Sequence, residues 1–324
     1  RMHVLFIGFQ ALTREMILQT ALTAHYTDFR LPKITVLCRQ DYQDQVARFL
    51  YRYPHLQETA EIGFSYADPM TIDFDAWNDM QSEVKFSVCY VAMQHDVEGI
   101  LTARRLNRLR RLEGLAPLNF IVCLNQQNFL AEIIDDDFMP IGLDKSALPD
   151  FEPIEYFETL DETISIDVVV NEALDVTART MHNAYLQTQL ANGETLENNA
   201  SLIPWSELPE HKKQANRNAA AHIDVKLRIS NCVAVEKDED FPEADFPPDD
   251  KTLAALAQLE HRRWMADKHL AGYSYGEKRD EDRMLHPDLV PWESLSERDR
   301  DKDRDNIVAI PQLLGMRGQK VSRA

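Results

Sequence analysis

The sequence has 324 residues and a formal net charge of −19, with 35 Lys and Arg against 54 Asp and Glu. A chain of this length can bury two or three hydrophobic cores. Because affinity for phosphate backbones depends on Lys and Arg, this charge excludes a general nucleic-acid binder and makes other polyanions poor partners. No apolar run approaches the roughly 18 residues that a membrane helix needs, and no signal peptide is visible.

The cysteines are typical of a reducing compartment. Cys38, Cys89 and Cys123 lie inside apolar runs, Cys232 is isolated, and no Cys-x-x-Cys spacing occurs. We therefore expect buried reduced thiols and a cytoplasmic location. Residue 1 is Arg rather than Met, so we expect either the cytoplasmic part of a longer inner-membrane protein or a residue left from cloning.

In the first half of the chain, short apolar runs alternate with segments of helical period. Fully apolar strands separated by helices indicate a parallel sheet covered on both faces. We therefore predict an α/β, Rossmann-like parallel sheet domain over residues 1–160. The predicted strands are 3–9, 33–38, 61–64, 86–92, 119–124 and 154–157, and the predicted helices are 12–22, 42–53 and 97–112. Residues 102–112 are basic, which is typical of a solvated helix face; docking to an acidic partner or a membrane surface is the alternative.

The turn after the first strand keeps one part of a dinucleotide-binding fingerprint. That motif has three glycines, whereas this chain has Gly8, Gln10 and Thr13. The first half of the chain resembles the Trk-type or RCK nucleotide-binding domain of potassium-transport regulators. The resemblance implies an acidic residue for the ribose after the second strand, but Cys38 is followed by Arg39. We expect NAD and NADP to bind poorly. Arg39 could instead meet a ribose phosphate, but we favour a scaffold that has lost its nucleotide.

The segment 253–307 has the strongest local pattern. A helix with His261 and Trp264 three residues apart is followed by Gly272, Tyr273 and Tyr275. Asp249 and Asp250 can cap this helix, and Gly272 can end it. A second helix is predicted after Pro291, which precedes Trp292. These residues, together with Arg279-Asp280 and His286-Pro287, resemble the ryanodine-receptor repeat in its bacterial form, although Tyr273 stands where that family often has Trp.

The same pattern recurs earlier in the chain at a constant spacing. Residues 202–208 match 289–295, so that Trp205 corresponds to Trp292 and Arg217 to Arg304. Further upstream, His182 and Tyr185 repeat the spacing of His261 and Trp264. We predict an α-helical tandem-repeat domain with approximate twofold symmetry. It comprises a degenerate repeat at 161–235, an acidic, Pro-rich linker at 236–250 with too few apolar residues for a core, and a second repeat at 251–315.

The sequence contains no catalytic motif with adequate spacing: no nucleophile elbow, phosphate-binding loop or zinc-type His-Glu-x-x-His. Aromatic faces beside guanidinium groups suit a planar, anionic ligand such as a nucleotide. The predicted ligand-binding residues are His261, Trp264, Tyr273, Tyr275, Trp292 and Arg304 in the second repeat, and Tyr185, Trp205 and Arg217 in the first. The alternative is that the Trp residues are core anchors and that Arg217 and Arg304 form intrahelical salt bridges.

The two resemblances together imply a non-enzymatic, ligand-sensing regulator of an ion channel or transporter, in particular one for potassium. They also imply a homodimer or higher oligomer, because RCK-type domains pair. The alternatives are an NAD(P)-dependent oxidoreductase, which depends on the fold alone, and a soluble nucleotide-sensing interaction protein.

Overall fold

The computed structural model describes residues 1–115, 118–125, 154–158, 175–191, 193–197, 199 and 201–324. The chain divides into two compact units. The N-terminal unit comprises Arg1–Ala21 and Leu31–Ser165, and the C-terminal unit comprises Leu22–Arg30 and Ile166–Ala324. The predicted boundaries near residue 160 lie outside the described residues. In the described part of the chain, no helix is long and apolar enough to cross a membrane.

The N-terminal unit has a six-stranded sheet in the order β3-β2-β1-β4-β5-β6, and every neighbouring pair is parallel. This is the Rossmann-like arrangement that the alternating pattern predicts. The strands are β1 His3–Ile7, β2 Lys33–Cys38, β3 Glu61–Tyr66, β4 Val88–Val91, β5 Asn119–Leu124 and β6 Ile154–Glu158. The helices are α1 Ala11–Thr23, α2 Gln43–Arg52, α3 Phe74–Asp79 and α4 Asp96–Leu112.

Among the α-helices that the structure describes in this unit, α3 is one that the sequence pattern did not indicate. It has only six residues, too few to show a helical period. The Asp73 side chain caps it by accepting a hydrogen bond from the Ala76 amide at 2.8 Å. The helix places Trp77, which is fully buried, against Phe86 and Phe120 in the core. One large aromatic side chain thus stabilises a helix too short to be stable alone.

The C-terminal unit is mainly helical, with two small sheets. Its helices are α5 Asp175–Ala191, α6 Glu210–Ala221, α7 Ile223–Ile229, α8 Asp250–Leu270, α9 Glu297–Val308 and α10 Ile310–Met316. Its strands are β7 Cys232–Glu236, β8 Ser274–Tyr275, β9 Leu285–His286 and β10 Gln319–Arg323. The part of the predicted first repeat that precedes Asp175 lies outside the described residues.

Two stretches of this unit have the same element order. Each has a 3₁₀ turn, Trp205–Glu207 or Trp292–Ser294, then two helices and a strand. The same spacing in sequence separates the members of all four pairs: the two 3₁₀ turns, α6 and α9, α7 and α10, and β7 and β10. Strands β7 and β10 pair antiparallel with Ala234 opposite Val321, which are corresponding positions. The pairing is therefore centred on equivalent residues, as an approximate twofold axis requires.

The ends of the helices follow capping chemistry, with one correction. Asp249 caps α8 by accepting a hydrogen bond from the Thr252 amide at 2.6 Å, and Gly272, at φ +94°, follows its end. The helix predicted directly after Pro291 does not start there. The 3₁₀ turn intervenes, Leu295 is extended, and Ser296 caps α9 at Glu297.

Residues 236–250 contact the core of the C-terminal unit, although their acidic, Pro-rich composition predicted a linker without core contacts. Phe246 is buried in the core of the C-terminal unit, and the Ala244 amide donates to the Val321 carbonyl at 2.9 Å. Glu243 also forms a β-bridge with Ser322. A single Phe supplies the apolar contact that we expected this segment to lack.

Candidate functional site

At the carboxyl end of β1, Gly8 serves close packing of the backbone. Its φ is +96°, and a Cβ added there would lie 2.1 Å from the Ala92 carbonyl oxygen, after β4. A side chain is excluded by the neighbouring strand, whatever ligand is present. The glycine that matches the first position of the fingerprint is therefore explained by strand packing.

Gln10 and Arg39 are held by side chains of their own unit. Gln10 donates to the Tyr42 hydroxyl at 2.5 Å. The Arg39 guanidinium lies 3.5 Å from Asp68 and 3.3 Å from Glu98. The residue directly after β2 is Arg39, not the carboxylate that the fingerprint places there for the ribose hydroxyls, and a phosphate would have to displace two carboxylates from Arg39. These two positions do not match the NAD-binding pattern.

In the C-terminal unit, four rings form an aromatic cluster: His261, Trp264, His286 and Trp292. The His261 ring stacks on Trp264 with centroids 5.7 Å apart and lies 6.0 Å from Trp292. Trp264 contacts His286 edge-on at 4.9 Å. His261 Nε2 donates to the Val290 carbonyl at 2.8 Å, which fixes the ring. Burial lowers the pKa of both histidines, so that they are neutral near pH 7.

The earlier stretch has matching contacts. His182 Nε2 donates to the Ile203 carbonyl at 2.7 Å, and its ring lies 5.9 Å from Trp205. A cation covers each Trp, Lys213 at 5.8 Å from Trp205 and Arg300 at 5.6 Å from Trp292. In both stretches the His anchors the residue before the Pro-Trp pair. Tyr185, the counterpart of Trp264, is partly exposed, and its hydroxyl accepts a hydrogen bond from Asn199.

Beside the aromatic cluster, three cations lie within electrostatic range of one carboxylate, Glu281. We call Lys212, Lys268 and Arg279 the basic group. Arg279 lies 2.5 Å from Glu281, and the Lys268 ammonium lies 4.7 Å from the Tyr273 ring centroid.

Tyr273 is nearly buried, and its hydroxyl donates to Glu281. Burial lowers the pKa of Lys212, and the nearby charges of Arg279 and Lys268 lower it further. The three positive charges are therefore close enough to repel one another.

The basic group comes from three elements that are distant in sequence: α6, α8 and the connection after β8. His286 lies within electrostatic range of both Lys268 and Arg279, which places the aromatic cluster next to the group. These cations, partly offset by Asp267 and Glu281, lie beside aromatic rings, and such an arrangement suits an anion that carries a planar ring.

The sequence did not indicate these cations, and the arginines that it did indicate lie elsewhere. Arg217 forms a bidentate ion pair with Asp175, at 2.5 and 2.8 Å, and also contacts Glu210. Arg304 is paired with Glu297 and Asp301 on its own helix.

Of the predicted aromatic residues, the structure brings His261, Trp264 and Trp292 together, with Tyr273 beside the basic group. Trp205 is buried in a separate small core with Ala178 and Leu208. Tyr275 is 56% exposed. The predicted set therefore spreads over more than one place, and Tyr273 is the predicted residue that contacts a member of the basic group.

The aromatic cluster, Tyr273, Lys268 and Arg279 all lie within one segment of known type. The family model of the RyR domain matches residues 243–323 of this chain.

Proposed function

We propose that the C-terminal unit is a tandem of two RyR-type repeats, of which the earlier has lost the connection between its first helix and its Pro-Trp pair. Three observations support this: the constant spacing of four consecutive elements, the pairing of Ala234 with Val321, and the matching bonds of His182 and His261. The shorter connection, around Gly193, replaces the segment that carries Tyr273 and Arg279 in the second repeat.

We further propose that this unit binds a nucleotide-like ligand, a planar ring that carries phosphate. The observation that carries the proposal is that Lys212, Lys268 and Arg279 lie within electrostatic range of one another around Glu281. A phosphate bound there would relieve the repulsion among the three cations, while Trp264 and Tyr273 supply ring faces. Lys212 belongs to the first repeat and the other two to the second, so the ligand would bridge the repeats.

The role that follows is a regulatory protein that senses this ligand and signals it to a partner, with an ion or potassium channel or transporter as the partner class. That part rests on the resemblance to Trk-type and RyR-containing proteins. The N-terminal unit is then a scaffold that connects the sensor to its partner, because Gly8, Gln10 and Arg39 are engaged in internal contacts.

Calorimetry with a panel of adenine and guanine nucleotides and their unphosphorylated nucleosides tests the ligand class. We expect nucleotides to bind and nucleosides to bind at least tenfold more weakly. Lys268→Met and Arg279→Met should each weaken nucleotide binding about tenfold or more, since each removes a charge-assisted hydrogen bond. Loss of a stacked ring in Trp264→Ala should cost about 1–3 kcal/mol.

Arg304→Met is the matched control, because it removes an arginine that is ion-paired on α9. Equal effects of Arg304→Met and Arg279→Met would contradict the assignment of the basic group. Binding that is abolished by Arg39→Ala but unaffected by Lys268→Met and Trp292→Ala would move the site to the N-terminal unit.

A further inference from the structure

The C-terminal unit buries a group of opposite charges that the proposed site does not use. We call Lys226, Glu260 and Arg263 the buried ionic cluster. Lys226 Nζ lies 2.5 Å from one oxygen of Glu260, and Arg263 Nη2 lies 2.8 Å from the other. The three side chains are only 3%, 4% and 4% exposed. Charges this deeply buried cost several kcal/mol each in lost hydration, so their presence calls for a reason.

The buried ionic cluster joins the two proposed repeats. Lys226 belongs to α7 of the first, whereas Glu260 and Arg263 belong to α8 of the second. Two more titratable groups flank it. His222, between α6 and α7, is fully buried, and neither ring nitrogen has a hydrogen-bond partner among the described residues. Asp303, on α9, lies within electrostatic range of all three members.

The equivalent contact on the other side of the approximate twofold axis is apolar. There the first repeat supplies α5 and the second supplies α10. By the constant spacings noted above, Glu260 corresponds to Met181, Arg263 to Ala184 and Lys226 to Leu313. Met181 packs against the core that contains Ile310 and Leu314, and Leu313 is itself buried. The same packing of helices is thus achieved without charge, so the architecture itself does not need the cluster.

The difference matters because β7 and β10 are equivalent strands that pair about the twofold axis. Two copies of β7 from different chains could pair in the same way, and so could two copies of β10. Pairing of two first repeats would bury Lys226 opposite Met181 twice, without the Glu260 carboxylate. Pairing of two second repeats would bury Glu260 opposite Leu313 twice, but there Glu260 keeps Arg263 of its own helix as a partner. The first arrangement therefore leaves a buried charge without its partner, which is strongly destabilising.

We propose that the buried ionic cluster determines which repeats pair: it holds the first repeat to the second through Lys226 and excludes the pairing of two first repeats from different chains. The proposal rests on the tandem organisation proposed above but is independent of ligand binding. A polar or ionic group that specifies the partner at some cost in stability is a known device of paired helices.

The test replaces the charged residues of the cluster with the uncharged residues found at the equivalent positions. The variant Lys226→Leu, Glu260→Met, Arg263→Ala, Asp303→Asn takes its residues from the equivalent positions Leu313, Met181, Ala184 and Asn216. In a second version, Ala234→Cys reports on strand pairing, because two β7 strands paired with each other would place their residues 234 face to face. After refolding and mild oxidation, we expect disulfide-linked dimers through residue 234 in the apolar variant and none in the otherwise unaltered chain carrying Ala234→Cys.

Two results would overturn the proposal. One is an apolar variant that folds but gives no dimer linked through residue 234, since like-with-like pairing would then have another barrier. The other is an apolar variant that does not fold, since the equivalent contact folds without charge. Because both readouts are made without ligand, failure here is distinguishable from failure of the nucleotide proposal.

A complementary mixing experiment uses Lys226→Glu and Glu260→Lys on separate chains. Each chain alone places like charges together and should refold poorly. When the two are refolded together, the chains can exchange repeats. The new carboxylate at position 226 of one chain then pairs with the new ammonium at position 260 of the other, and the unaltered Lys226 pairs with the unaltered Glu260, so a folded 1:1 dimer is expected. A mixture that refolds no better than its components would show that this ion pair does not control pairing.

Discussion

At the scale of the single residue, Gly8 shows how a motif position can have a structural cause. Its amide donates to the Leu37 carbonyl at 2.9 Å, and its Cα faces the Ala92 carbonyl so closely that no Cβ fits. The strand order brings the ends of β1 and β4 together, and the glycine follows from that approach. Strand packing therefore requires glycine at position 8, whether or not the neighbouring Gln10 and Arg39 take part in binding a nucleotide.

We expect Gly8→Ala to lower the free energy of unfolding of the N-terminal unit by at least about 3 kcal/mol, because it combines a backbone clash with a positive φ. Gly114→Ala is the control: its φ is +67°, but a Cβ there has open space. The control should cost about 1 kcal/mol. Urea unfolding measures both, and similar losses in the two variants would show that the clash is relieved at little cost.

At the scale of the element, the packing of α7, α8 and α9 changes the titration of Asp303. Burial, then the Glu260 carboxylate, raise its pKa from 3.8 to about 8, against the lowering effect of Arg263, Lys226 and Lys302. His261 Nδ1 lies 3.6 Å from Asp303, and burial lowers the pKa of that histidine. The two side chains therefore form a neutral pair near pH 7.

The consequence is a loss of stability with rising pH. A carboxyl group whose pKa is raised on folding binds a proton more tightly in the folded state. The stabilisation is complete below pH 3.8 and is lost as pH rises to about 8. Between pH 5 and 8 the free energy of unfolding of the parent should therefore fall more steeply than that of Asp303→Asn. Urea unfolding at several pH values gives both slopes, and parallel slopes would contradict the raised pKa.

At the scale of the whole molecule, the division into units does not follow the order of the sequence. Leu22–Arg30 belongs to the C-terminal unit although it lies between β1 and β2. Arg262, on α8, donates to the Phe29 carbonyl at 2.5 Å, and its guanidinium lies 6.0 Å from the Phe29 ring. Within the C-terminal unit, this nine-residue segment therefore contacts α8 through Arg262, and its His25 is buried.

Arg262→Ala should loosen this segment without unfolding the unit. We expect faster amide hydrogen exchange over residues 22–30, because the bond to the Phe29 carbonyl and the cation–π contact are lost together. Arg298→Ala, an exposed position on α9, serves as the control. Unchanged exchange in Arg262→Ala would show that other contacts hold the segment.

Much of the fold was predictable because burial leaves a local periodic record in the sequence. The apolar runs over 33–38 and 119–124 match β2 and β5 residue for residue. The caps Asp249 and Gly272 mark the ends of α8, and the constant spacing of Trp205 and Trp292 matches two equal 3₁₀ turns. Each signal depends on near neighbours in the chain, which the sequence displays directly.

The site depended on contacts that no local pattern records. Lys212, Lys268 and Arg279 look like ordinary surface charges in the sequence, and only the packing of α6 against α8 brings them together. Arg217 and Arg304 looked equally suitable, but each is paired with two carboxylates, whereas Arg279 is paired with Glu281 alone. Likewise, Lys226 and Glu260 are 34 positions apart, and only the pairing of the two halves buries their charges against each other. Local periodicity determined the elements, and tertiary contacts decided which charged side chains come together.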